Sequence, residues 1–125
     1  MHYRKRKYLD ILKVEINDLL EDIGDLVEDY RRRRSKSEIT EYVLRENVAV
    51  LHSEVGGINI LLKILDAIHI DKYVGLDDMV EDIERKMCDR IKSSDLAGAL
   101  YPMIKRKLEK VKLYVEEVQN MDFSG

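Results

Sequence analysis

Apolar residues recur at alternating steps of three and four through the first quarter of the chain: Leu9, Leu12, Ile16, Leu19, Ile23, Leu26 and Tyr30. Such a seam runs along one side of an α-helix, and Leu20 and Val27 widen it to the stripe that a globular core requires. It predicts a first helix from about Tyr3 to Arg33. Gly24 falls off the seam, and Arg31–Arg34 fill the last turn, where cations oppose the negative end of the helix dipole.

Ser35, followed three residues later by Glu38, fits a capping box and predicts that a second helix starts almost at once. Its seam reads Leu44, Val48, Leu51, Val55, Ile58, Leu62, Leu65. So short a connection forces the two helices into an antiparallel hairpin. "IDKYVG" (Ile70–Gly75) reads as a loop. A third helix, from about Leu76 to Lys92, turns Leu76, Val80, Ile83, Met87 and Ile91 inward, with Asp77 and Asp78 in its first turn. Ser93–Asp95 supply an N-cap for a fourth, whose seam is Ala97, Tyr101, Ile104, Leu108, Val111, Val115, Val118. Pro102 interrupts that seam. Either it kinks the helix over the bare backbone of Gly98, or it begins the main helix after a separate short turn. The expected fold is all-α: one domain over residues 1–125, an antiparallel up-down-up-down four-helix bundle with a long hairpin of the first two helices.

One segment departs from this economy of apolar surface. In "GGINILLKILDAIHI" (Gly56–Ile70), nine of the thirteen residues from Ile58 onward are apolar. On a wheel of 100° per residue, Ile60, Leu61, Ile64, Ala67 and Ile68 extend the seam to an arc of about 220°. A helix burying one face needs little more than about 100°. Ala49, Ser53 and Gly57 form a row of small side chains leading into this sector, of the kind that lets a partner helix approach closely. The alternative is that Gly56-Gly57 simply breaks the helix. Three arrangements account for the extra apolar face. The second helix is central and touched by the other three; or the face makes a two-fold homodimer, with Ile60, Leu61, Ile64 and Ile68 as anchors and Ala49, Ser53 and Gly57 beneath the crossing; or it receives an amphipathic helix of another protein.

Composition adds bounds to this picture. Apolar residues make up 45% of the 125, enough to collapse, while 38% are charged and the net charge is only −3. That balance alone selects neither an acidic nor a basic partner. A single cysteine, Cys88, permits no intrachain disulfide and points to a reducing, cytoplasmic compartment. The basic start "HYRKRK" lacks a clean apolar run behind it, because Asp10, Lys13 and Glu15 interrupt. No uninterrupted run reaches the ~20 apolar residues of a membrane span.

Candidate chemistry is sparse. A bundle di-metal site needs two Glu-x-x-His pairs, and this chain offers one approximate match, Asp66-Ala-Ile-His69. His69 falls on the seam as a partly buried helix-end residue, and His52 on the polar side. Cys88 has no activating neighbour and reads as a small boundary residue. Adjacent acids such as Glu21-Asp22, Glu28-Asp29 and Asp77-Asp78 point about 100° apart on a helix, which suits solvation and not paired acid–base work. No enzyme, cofactor or metal is expected.

Basic clusters leave a nucleic-acid reading open. Arg4, Lys5, Arg6 and Lys7 open the chain, and Lys110 and Lys112 return beside them in an up-down-up-down bundle, with Tyr3, Tyr8 and Tyr114 available for stacking. Against one patch, Arg31–Arg34 lie roughly 45 Å from the first cluster. Residues 15–29 between them hold seven acids and no base. The expected function is therefore non-enzymatic protein–protein contact, as adaptor, regulator or chaperone-like protein, with a homodimer the expected form and nucleic-acid contact the alternative.

Overall fold

The structure, a computed structural model, describes residues 2–92 and 100–124, with side chains in the last helix followed to Glu117. Four helices occur among these residues: α1 (Tyr3–Ser35), α2 (Glu41–Asp66), α3 (Leu76–Lys92) and α4 (Leu100–Ser124), with a single 3-10 turn at Ile70–Lys72. They form the expected antiparallel up-down-up-down bundle. α1 packs against α2 and α4, α3 packs against the same two, and α1 also reaches α3 across the diagonal. The central helix is thus α1, not α2. α2 runs unbroken through Gly56-Gly57.

The hairpin turn differs from the capping-box expectation. Ser35 ends α1, its Oγ donating to the Arg32 carbonyl at 2.7 Å. The amide of Glu38 bonds the Arg33 carbonyl at 2.9 Å and that of Ser37 the Arg34 carbonyl at 3.0 Å. This pair of bonds is the Schellman closure, and it requires a left-handed residue, here Ser37 at φ 61°. Because the reversal occupies residues 36–38, the next N-cap falls to Thr40, whose Oγ1 accepts from the Val43 amide at 3.2 Å.

The core lies where all four helices overlap. Leu12 and Ile16 of α1 meet Ile58, Leu61 and Leu65 of α2, Met79, Ile83 and Met87 of α3, and Leu100, Ile104 and Leu108 of α4. Tyr8 joins them, fully buried, its hydroxyl donating to the Leu108 carbonyl at 3.2 Å. Lys5 is only 4% exposed, and its ammonium donates to the carbonyls of Ile70 and Tyr73 at 2.9 and 2.6 Å. It thereby ties the α2–α3 connection to the foot of α1. The buried polar side-chain atoms of the described residues all have hydrogen-bond partners, as a low-dielectric interior demands. His69 is exposed at the start of the 3-10 turn, because α2 ends at Asp66. Pro102 sits in the first turn of described α4. The N-cap expected at Ser93–Asp95, the Gly98 kink, Ala97 and the side chain of Val118 lie outside the described residues.

Ser37 adopts a conformation that costs a residue with a Cβ about 1 kcal/mol more than glycine. Ser37→Gly should therefore raise the midpoint of a thermal melt followed by circular dichroism by ~2–5 °C. An unchanged or lower midpoint would contradict the assigned closure.

Candidate interaction surface

The hairpin outruns the helices that cover it. Glu15 of α1 accepts from Lys107 of α4 at 3.0 Å. Since the two helices run antiparallel, Leu100 lies opposite about residue 22 of α1. α3 stops similarly: Arg90, two residues before its end, shares a cleft with Lys63 of α2. Among the described residues, only α1 and α2 continue beyond that level, as a two-helix arm. No residue from Gly24 to Val50 is buried.

Along the arm, the apolar pattern of the covered half continues. A step of 18 residues is about five helical turns and returns a side chain to the same direction. Eighteen positions up α1 from Tyr8, which is buried against α4, stands Leu26 at 47% exposure. By the same step Tyr30 repeats the direction of fully buried Leu12 and is half-buried. On α2, Val43 repeats fully buried Leu61 yet is 37% exposed. Val50, seven residues further on, shares Val43's direction to within about 20° and is exposed. Lower down, these directions lie in the bundle core; on the arm, Leu26, Val43 and Val50 are exposed and Tyr30 is half-buried. Tyr42, on the flank, is the most exposed aromatic residue described, at 72%.

This relocates the surface expected from the sequence. Leu61 and Ile64 are buried in the protomer's own core, and Gly57 with them, so they cannot anchor a partner. Ile60 and Ile68 are half-buried against that core. The broad arc of α2 serves two neighbours, α1 on one side and α3 on the other. Ala49 is exposed and Ser53 half-exposed, and both belong to the arm. Ala49, with Arg31, Leu44, Arg45, Val48 and His52, lines a shallow groove of ≈ 310 Å³ between the two arm helices.

Charge on the arm is divided along its length. Near the tip each arginine has a carboxylate: Arg31 with Glu28, Arg32 with Asp29, Arg33 with Glu38, Arg34 with Glu41. Hydrogen bonds from Arg45 and then Arg34 hold the Glu41 carboxyl below its ordinary value. On the stem, Asp18, Glu21, Asp22 and Asp25 are exposed and pair with no described residue.

The expected nucleic-acid cluster is not one surface. Lys5 and Tyr8 are buried, and Lys112 pairs with Asp77 at 2.9 Å. Arg6, Lys7 and Lys110 remain exposed, Arg4 is half-buried, and Lys7 and Lys110 flank a cleft of ≈ 330 Å³ with Ile11 and Tyr114. Burial and the nearby Glu84 push the Tyr101 hydroxyl up to about 12, so it stays protonated. Among the described residues no three His, Cys, Asp or Glu side chains converge as a metal site. α2 is long and apolar enough to cross a bilayer by length and composition, yet Ile58, Leu61, Ile64 and Leu65 are committed to the core. No protein-family model matches this chain, and no curated protein or solved structure is significantly similar to it.

Two outcomes follow from these placements. Leu26→Asp should leave the circular-dichroism melt of dilute protein within ~2 °C of wild type, as for other exposed sites, whereas Leu61→Asp should abolish the folded baseline. Equal damage from both would mean that Leu26 belongs to the core. Glu41, followed by carbon-detected NMR, should titrate below the ~4.3 of a free glutamate. A depressed carboxyl stabilises the tip above its unfolded value and loses that contribution as pH falls through the folded one. Arg45→Gln should move the midpoint back up; no movement would remove the assigned cause.

Proposed function

We propose that this chain is a non-enzymatic helical-bundle protein that works through protein–protein contact, with the arm of α1 and α2 as its contact element. One observation carries the reading: the apolar pattern that is buried in the lower half continues up the arm, where Leu26, Val43 and Val50 are exposed and no described residue buries them. Burying a leucine or valine stabilises a fold by about 1.5–3 kcal/mol, so a row of them facing water represents unused association energy. Adaptors and regulators present such faces on rigid helices, and the arm needs no cofactor to do so. The nucleic-acid alternative is weaker, because Lys5, Tyr8 and Lys112 are engaged within the molecule.

Photocrosslinking in the cells that make the protein tests this. Benzoylphenylalanine replaces Tyr42 on the arm, or Val74, which is 95% exposed on the connection at the opposite end. The Tyr42 position should give a discrete protein adduct and the Val74 position none. No adduct at Tyr42, or equal adducts at both, would refute the reading. The adduct's mass then tells whether the partner is this chain or another.

A further inference from the structure

We infer that the arm's partner is a second copy of this chain, the two arms packing antiparallel about a two-fold axis near Leu26 and Tyr30. The inference rests on the reading above and adds the partner, the direction and the register.

The arm resembles the layer that covers the lower half of its own bundle. What the uncovered face lacks is a layer of two antiparallel helices with an apolar stripe of matching period, the layer that α3 and α4 provide below. The arm itself is such a layer. Two arms set face to face rebuild the four-helix bundle that the lower half already forms, Leu26 and Tyr30 of each copy meeting Val43 and Val50 across the joint. A self-complementary patch of this kind closes as a two-fold dimer and leaves nothing further to propagate.

The exposed area is large enough for such a joint. A compact chain of 14.7 kDa exposes about 6,900 Å². This one exposes 8229 Å². The difference, ~1,300 Å², is a whole-chain total to which the overhanging arm contributes, and it exceeds the ~800 Å² that each partner gives up at an interface of standard size.

Charge sets the direction. If the arms ran parallel, tip would lie on tip and stem on stem, opposing like charges. Run antiparallel, the Arg31–Arg34 tip of one copy reaches Asp22 and Asp25 of the other, beside the start of its α4. Those carboxylates pair with no described residue. The tip arginines each make one exposed ion pair, which is weak, and a guanidinium has five N–H donors, so a second carboxylate can be taken up. The same opposition sets the register. An axis much nearer the stem would drive the tip into α4, and one much nearer the tip would leave Leu26 uncovered.

Light scattering on the purified chain, with melts as the folding control, decides it. Wild type should have twice the chain mass at about 0.1 mM and dissociate on dilution. Leu26→Asp should weaken the dimer by at least ~30-fold while remaining folded. Arg31→Glu with Arg33→Glu, and separately Asp22→Lys with Asp25→Lys, should each give monomers. All four changes in one chain should restore the dimer, since the reversed tip then meets a reversed stem. A monomer at every concentration overturns the inference, and so does a dimer indifferent to Leu26→Asp or to the charge reversals. If a monomer still gives a Tyr42 adduct with a different protein, the second copy is refuted while arm-mediated contact stands.

Discussion

The organising constraint is a mismatch of length between two layers of helix. α1 and α2, of 33 and 26 residues, form one layer whose apolar face runs its whole length. The other layer contains α3, of 17 residues, and an α4 that starts opposite the middle of α1. Burial follows from that overlap: the fully buried side chains cluster between the foot of α1 and the level of Ile23 and Leu51, and above it none is buried. A two-helix hairpin alone has little apolar area to bury and is a marginal structure. Local devices therefore hold the arm: the Schellman reversal at Ser37, the Thr40 cap, and the fork of Arg34 and Arg45 on Glu41.

Much of this was legible in the sequence, because helical periodicity reports the direction of each side chain well. The four helices, the hairpin and the ends of α3 follow from spacing and turn residues alone. Spacing is silent about how far a neighbouring helix extends, and there it misled. Leu26 belongs to the seam by period, yet it is exposed because it lies beyond the described extent of α3 and α4. Conversely, local apolar density drew attention to Gly56–Ile70, where Leu61 and Ile64 are already enclosed by α1 and α3. A helix with two neighbours simply needs a wider apolar arc than a helix with one. The useful signal was the comparison of lengths: a first helix of thirty-odd residues beside a third of 17 implies an overhang.

Charged residues were harder to place. Lys5 stands in a basic run and reads as solvated, but its long stem carries the ammonium to two carbonyls of a connection 65 residues away in sequence. Lys112 and Lys107 likewise serve α4's attachment to Asp77 and Glu15. Nothing in composition distinguishes a lysine that clamps a loop from one that meets a ligand; the difference is tertiary. Asp18, Glu21, Asp22 and Asp25 of the α1 stem show the opposite case, since they were legible within a block without bases and pair with no described residue.

The central claim is that one half of the hairpin is covered within the protomer and the other half is left for a partner. Amide hydrogen exchange across a dilution series tests it most directly, because protection reports cover residue by residue. In dilute protein, amides of Gly24–Tyr30 and Val43–Val50 should exchange much faster than those of Ile58–Leu65, and they should slow as the protein is concentrated. Uniform protection along α1 and α2, unchanged by concentration, would contradict the account.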